Sequence, residues 1–149
     1  LAVVHVETWR TAYRGILGDD YLDALDIEGR TRWWAGLIAD GAIVHIAEGD
    51  DDVVGYCWVD SSTDAEWGEV VAIYVHPDHW GEGHGHRLLA TGEESLRHEG
   101  YTKALLWVLE ANHRARRFYE RQGWQRGKPF RIEEIGGAQV TEIRYQTAL

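Results

Sequence analysis

The sequence predicts a mixed α+β fold with a largely antiparallel sheet, and three observations predict it. Residues 3–13 and 30–39 carry apolar side chains at a helical period. From residue 43 the pattern changes to short β-rich runs, 43–47 and 53–59, joined by Gly49-Asp50-Asp51-Asp52 as in an antiparallel hairpin. Finally, the strong strand 69–75 and the apolar run 103–109 are separated by a turn and a helix. Such a crossover makes two strands parallel neighbours, while the remaining pairs are antiparallel.

Each element has its own signal. In the first helix Val3, Val4 and Val6 share a face with Trp9, Ala12 and Tyr13, and Gly15 and Gly18 punctuate its end. Asp19-Asp20 caps a short helix carrying Tyr21, Leu22 and Leu25. The helix at 30–39 turns Trp33, Trp34, Leu37 and Ile38 to its apolar side and stops at Gly41. Residues 61–64 form a polar loop, and strand 69–75 ends at Pro77. Helix 86–99 faces Leu88, Leu89, Gly92 and Leu96 inward, with Gly100 as its stop. Asn112 caps a helix running through Gln122, and Gly123 follows. The tail, 124–134 and 138–146, reads as a hairpin around Gly136-Gly137.

Composition narrows the function. At 149 residues, 44% hydrophobic and 27% charged, the chain suits one globular domain over 1–149. A net charge of −10 disfavours nucleic acid, whose binding needs basic surface to displace counterions, and either draws cationic substrates or serves only solubility. No run approaches the ~20 apolar residues of a membrane span. The single cysteine, Cys57, excludes an internal disulfide and a Cys-rich metal site, which fits a reducing, cytoplasmic setting. The chain has no methionine and begins at Leu1, so its natural start is expected to be missing.

The chemistry concentrates in one turn, His76 to Leu89, where Gly81, Gly83 and Gly85 alternate and then open a helix. Glycine permits close backbone approach, and a helix N-terminus offers free N–H groups to an anion such as phosphate. No Gly-Lys-Ser/Thr follows, so this is not a P-loop. The third glycine falls one place early for a dinucleotide fingerprint. His76, His79, His84 and His86 crowd the same stretch, but they surround the phosphate turn and alternate glycines scatter their directions, so no metal is expected.

The run from Glu69 through His76-Pro77 to Trp80-Gly81-Glu82-Gly83-His84-Gly85 resembles the acyl-CoA signature of the GNAT superfamily of N-acetyltransferases, Gln/Arg-x-x-Gly-x-Gly/Ala after a strand and before a helix. Asn112, Ala115, Phe118, Tyr119, Gly123 and Trp124 match its Asn-x-x-Ala-x-x-Phe-Tyr-x-x-x-Gly-Phe helix. Trp9 to Leu17 is similar, more weakly, to its first helix region. The resemblance covers nearly the whole chain, lacking only the family's first strand. Two positions depart: Trp80 stands where Gln or Arg is usual, although the amide cradle does not depend on that side chain. His84 replaces an aliphatic residue and is expected to pack poorly or face solvent.

The resemblance implies a GNAT-like fold, with helices on both sheet faces and the parallel strands splayed around acetyl-CoA. It also implies acetyl transfer to a primary amine by direct attack in a ternary complex. The diphosphate would lie on the amides of Gly81, Glu82, Gly83, His84, Gly85 and His86, beside Trp80. The pantetheine arm would run along Ile73, Tyr74 and Val75. The Ile73 N–H becomes the oxyanion donor. Glu69 becomes the general base through water, or else a strand-edge carboxylate, with Glu66, His76 and Glu110 as rivals. Tyr119 protonates the leaving thiolate, or packs beside Phe118. Asn112 touches the cofactor arm or only caps its helix. Among Arg114, Arg116, Arg117 and Arg121, one or two meet the ribose phosphate, or the run is a solvated face paired with Glu120. Trp9, Tyr13, Tyr21, Trp33, Trp34, Trp67 and Phe130, with Asp19, Asp20 and Asp64, suit a cationic small-molecule amine, or form core and dimer contacts in an expected homodimer. A peptide N-terminus or protein lysine is the alternative acceptor, and a non-catalytic acyl-CoA-binding module the alternative function.

Overall fold

Helices followed by strands in the order βββαβαββ, as the sequence pattern requires, make up the computed structural model, which describes residues 1–50 and 52–149. Helices α1 (Ala2–Ala12), α2 (Asp19–Asp23) and α3 (Ile27–Ala39) come first. Strands β1 (Ile43–Glu48), β2 (Val53–Ser61) and β3 (Gly68–Val75) follow, then a short 3₁₀ turn (Pro77–His79) and helix α4 (His84–His98). Strand β4 (Lys103–Leu109), helix α5 (His113–Arg121) and strands β5 (Gln125–Ile135) and β6 (Ala138–Ala148) complete the chain. The strands form one sheet in the order β1-β2-β3-β4-β6-β5, and among the described strands only β3 and β4 pair in parallel.

The sheet is covered on both faces, and β2 shows why. Its side chains alternate. Cys57 and Val59 join Leu88, Leu89 and Leu96 of α4, with Tyr119 and Trp124 in the same core. Tyr56, with Trp58 packed beside it, faces Ala2, Val4 and Trp34 of α1 and α3. Helix α4 lies close on β2 because position 92 is glycine; a Cβ there would come 2.7 Å from Cys57 Sγ.

Several elements differ from the sequence pattern for local reasons. Helix α3 starts at Ile27, not Arg30, because the Asp26 side chain accepts from the N–H groups of Glu28 and Gly29. It buries Trp34 but leaves Trp33 and Ile38 40% and 52% exposed, since its apolar stripe is narrower than the four residues suggest. Val3 of α1 likewise points outward. Gly18, not an aspartate, occupies the cap position of α2. Helix α4 begins at His84, two residues early, directly after the left-handed Gly83. The tail hairpin turns at Gly136-Gly137, both with positive φ, and a Cβ on Gly136 would overlap the Tyr21 ring, so α2 docks on the hairpin tip. The joining segment of the first hairpin includes Asp51, which lies outside the described residues.

Two irregularities in β3 create the functional cleft. Trp58 pairs with Ala72 and Val59 with Val70, leaving Val71 as a bulge that bends the strand. The parallel pairing with β4 runs only through Gly68↔Ala104 and Glu69↔Leu105. Strand β4 continues along β6 while β3 swings away, so the strands open like a V above Glu69.

Candidate active site

A cavity of about 520 Å³ fills the V. Its floor is β3 from Glu69 to Val75, one wall is the glycine turn and the start of α4, and another is α5 with Phe118 and Tyr119. Thr8, Trp9 and Tyr13 of α1 and Arg131, Ile135 and Glu142 of the tail hairpin close the far end.

The free edge of β3 supplies backbone donors. The His76 N–H donates to Val54 O at 2.8 Å, so it points toward β2. By the two-residue alternation of a strand, Tyr74 shares that direction, and Ile73 and Val75 face the open V. Beyond Glu69 no strand among the described residues pairs with that edge. The Val75 carbonyl on this side is already occupied, accepting from Thr8 Oγ1 at 3.1 Å and Trp80 Nε1 at 2.7 Å.

The turn between β3 and α4 fits an anion. Gly81 and Gly83 have φ of +92° and +84°, values an L side chain adopts only under strain. Gly83 is the N-cap of α4 and offers no side-chain hydrogen bond, so the first amides of the helix stay unmet and carry the positive end of its dipole. Gly85 sits against Phe118, where a Cβ would touch the ring at 3.4 Å. The fit to an acyl-CoA diphosphate thus rests on a bare, left-handed cradle opening into the cavity.

Of the residues expected at the cofactor, Ile73, Tyr74, Val75, Trp80, Gly81, Gly83, His84, Gly85, His86, Asn112 and Tyr119 line the cavity, and the Glu82 side chain does not. Glu82 turns instead to His79 Nδ1 at 3.0 Å and His84 Nε2 at 3.3 Å. These three are the one group of metal-competent side chains gathered among the described residues, with ligand atoms within 4.8 Å of one another. Arg87 lies 3.1 Å from His84 Nδ1, where its guanidinium donates and leaves the imidazole proton on Nε2, facing Glu82. The result is a hydrogen-bonded clamp across the turn. His84 therefore neither faces solvent nor packs poorly, and its side chain is only 14% exposed. The Asn112 side chain accepts from the Ala115 N–H, so it caps α5 while lining the cavity.

Glu69 is the one candidate base that reaches the cavity among the four considered. Glu66 is exposed beside Lys103, Glu110 pairs with Arg126 at 2.9 Å, and His76 accepts from the Asp78 N–H. Burial raises the Glu69 pKa; Arg131 opposes the rise, and Asp60 and Glu142 add to it. Tyr119 is buried beside Phe118 and Trp124, yet its hydroxyl has no hydrogen-bond partner among the described residues, and the residue borders the cavity. Burial, with smaller contributions from Tyr74 and Cys57, raises its pKa. At neutral pH the phenol therefore keeps its proton.

Sequence reasoning missed Arg131, Glu142 and Trp107. Arg131 Nε bonds Glu142 Oε2 at 2.6 Å, and its guanidinium lies 4.5 Å from the Trp107 ring centre. These residues come from three different strands, so no local motif announces them. Of the aromatic residues expected at the acceptor site, Trp9 and Tyr13 line the cavity, and the Tyr13 and Tyr74 hydroxyls meet at 3.4 Å. Trp33 and Trp34 pack with Trp58 on the other sheet face, Trp67 lies under Lys103 and Arg144, Tyr21 holds the hairpin tip, and Phe130 is 65% exposed. Asp19, Asp20 and Asp64 are also exposed away from the cavity. The arginines of α5 do not pair with Glu120, which instead accepts from the Tyr145 hydroxyl.

A profile described as the Acetyltransferase (GNAT) family matches residues 6–124 of this chain. The chain belongs to the GNAT family. By family it is an acetyl-CoA-dependent N-acetyltransferase, with the sheet and splayed strands that the sequence motifs imply. It is 33% identical over 115 residues to an uncharacterized N-acetyltransferase, YuaI, of Bacillus subtilis, covering 75% of this chain and 66% of the relative, just short of two thirds. It is 31% identical over 126 residues to an uncharacterized N-acetyltransferase of Archaeoglobus fulgidus, covering 81% of this chain and 84% of that one. Among solved structures, the acetyltransferase yncA of Salmonella typhimurium with its cofactor acetyl-CoA superposes with a TM-score of 0.69 at 22% identity, over 99% of this chain and 87% of that one. No described helix is long and apolar enough to cross a membrane.

Proposed function

We propose that this GNAT member transfers the acetyl group of acetyl-CoA to the primary amine of a small molecule, by direct attack while both are bound. The observation that carries the reading is the V-shaped cavity, where the glycine cradle, the free edge of β3, Glu69 and Tyr119 meet. Acetyl-CoA supplies the acetyl group as an activated thioester. The amides of residues 81–86 would hold its diphosphate, and Ile73, Tyr74 and Val75 its pantetheine arm. The Ile73 N–H would donate to the carbonyl oxygen as charge develops there, an interaction worth ~3–4 kcal/mol in comparable sites.

Glu69, acting through water, takes the proton that the attacking nitrogen must lose; a carboxylate raised above its usual range is a stronger base for that step. As the new C–N bond forms and the C–S bond breaks, Tyr119 gives its hydroxyl proton to the sulfur. Glu69, beside the rings of Tyr13 and Tyr74, gives the acceptor end an acidic and aromatic lining that suits an ammonium group, while Glu142 and Trp107 are engaged by Arg131. The retention of both proton-handling groups at the cavity favours an enzyme over a non-catalytic acyl-CoA-binding module. Exposed Phe130 and Ile132 on the outer strand support assembly with a second copy. The single, buried free thiol of Cys57 agrees with a cytoplasmic setting.

Titration calorimetry with acetyl-CoA, CoA and ATP tests the cofactor reading, and thiol release across a panel of small amines, N-terminal peptides and lysine peptides tests the acceptor. Micromolar binding specific to the CoA compounds, with turnover of small amines, is the expected result. ATP binding in place of CoA would overturn the cofactor assignment, and turnover confined to peptides would overturn the acceptor.

A further inference from the structure

Trp80 has a different task from binding phosphate itself. Its one donor, Nε1, is spent on the Val75 carbonyl at 2.7 Å, which fixes the indole at the rim of the cavity beside Gly81. Lying over that ring, 3.1 Å from its centre, is the guanidinium of Arg114, the second residue of α5. Asn112 caps α5 through the Ala115 N–H and so fixes the backbone on which Arg114 stands. Arg114 forms no salt bridge among the described residues, in a chain with 25 acidic side chains against 15 basic ones. Its stacked guanidinium keeps its in-plane donors free, and Arg114 lines the same cavity as Gly81, Gly83 and the start of α4.

We propose that Trp80 is a platform that holds Arg114 against the diphosphate of the bound nucleotide, so that the anion is met by α4 amides on one side and by an α5 guanidinium on the other. The proposal rests on the reading of this cavity as the acetyl-CoA site. The Trp80–Arg114 pair adds a cation from α5 to Arg87 of the turn, which stands beside Gly83 and is engaged with His84. It also links the two helices that flank the cofactor. Planar donors on an aromatic plate are pre-organised, so little freedom is lost when the anion arrives.

The test is titration calorimetry of the full chain with CoA and with dephospho-CoA, which keeps the diphosphate and lacks the 3′-phosphate. Arg114→Gln is expected to weaken both ligands by about tenfold or more, and the loss should shrink at high salt. Arg114→Lys, which preserves charge but not the fork, should lose less. Trp80→Leu should weaken binding severalfold, and the double variant should bind no worse than Arg114→Gln alone, because Trp80 acts through Arg114. Melting curves confirm that each variant is folded. Unchanged affinity in Arg114→Gln would overturn the proposal, and additive losses would overturn the platform role. A loss seen with CoA but not dephospho-CoA would move Arg114 to the 3′-phosphate and overturn the diphosphate assignment. A wild-type chain that binds neither ligand would instead refute the acetyl-CoA reading beneath it.

Discussion

Replacing Tyr119 with phenylalanine should separate catalysis from folding. The ring is buried, 8% exposed, in contact distance of Phe118, Trp124 and Tyr145, and phenylalanine keeps that packing. The hydroxyl has no partner among the described residues, so its removal strands no buried group, and stability should change by less than about 0.5 kcal/mol. Truncation to alanine, by contrast, should cost roughly 3–5 kcal/mol through the cavity it leaves. For turnover the balance reverses. The phenol pKa lies above its ordinary value of 10.0, so the proton is present throughout any neutral assay; a thiol has an ordinary pKa of about 8.5, so the transfer is uphill and depends on the hydroxyl being positioned at the breaking C–S bond. Loss of a positioned acid should lower kcat by ~10²–10⁴, equivalent to about 3–5 kcal/mol of barrier. The assay is thiol release from acetyl-CoA with an accepted amine, run beside calorimetric titration and a thermal melt. The reasoning requires a low kcat with unchanged cofactor affinity and melting temperature. A kcat within about twofold of wild type would refute the acid role, and a fall of several degrees in melting temperature would refute the unpartnered hydroxyl.

Three other perturbations test the remaining parts of the site and fold. Glu69→Gln should remove the acid limb of the kcat/KM profile, a limb that in the wild type lies above the ordinary carboxylate range because burial raises the Glu69 pKa; an unaltered profile would reject the base. Gly83→Val should abolish acetyl-CoA binding in calorimetry, since φ is +84° and the side chain would enter the cradle beside Arg87 Nη1, and retained affinity would displace the phosphate site. His5 is pulled down to about 3 by burial, then by Arg30, so stability is full above the unfolded pKa near 6.5 and declines as pH falls toward 3. The loss is roughly 3–5 kcal/mol, and His5→Phe should flatten it in urea titrations at pH 7 and pH 4.

What was legible in the sequence was whatever has a local cause. Strand β4 needs no partner to be recognised, because seven consecutive residues from Lys103 form an apolar β-rich run between turn signals. The buried face of α4 follows from spacing alone, as Leu88, Leu89, Gly92 and Leu96 share one side. The glycine turn is legible because only glycine tolerates its backbone. Long-range pairing was not legible. That β6 lies inside β5 and next to β4 places Glu142 and Arg131 in the cavity wall, and neither residue has a neighbour in sequence that announces it. The Val71 bulge is equally hidden, since Glu69 to Val75 reads as an unbroken strand and the irregularity exists only relative to β2. Trp33 was misplaced because aromatic content marks burial only when the opposing surface is wide enough, and α3 covers the sheet with little more than Trp34 and half-buried Leu37.

The bulge also explains how an unpaired strand edge is tolerated. An open edge exposes both donors and acceptors and invites pairing with another chain. Here the bend at Val71 recesses the edge into a cavity rather than leaving it on the surface. At Val75 the acceptor is consumed from within, by Thr8 from α1 and Trp80 from the turn, while the N–H groups of Ile73 and Val75 remain directed into the V. The edge is thereby biased toward partners that bring oxygen acceptors, such as amide carbonyls along a ligand arm and a thioester oxygen at its end. The same indole that blocks the Val75 carbonyl carries Arg114 on its face. One side chain therefore conditions the strand edge for the ligand's neutral arm and the rim for its charged end. Thr8 Oγ1 also holds the Val75 carbonyl, so the edge keeps its bias when Trp80 is replaced, and the loss on substituting Trp80 should be confined, like that of Arg114, to the charged end.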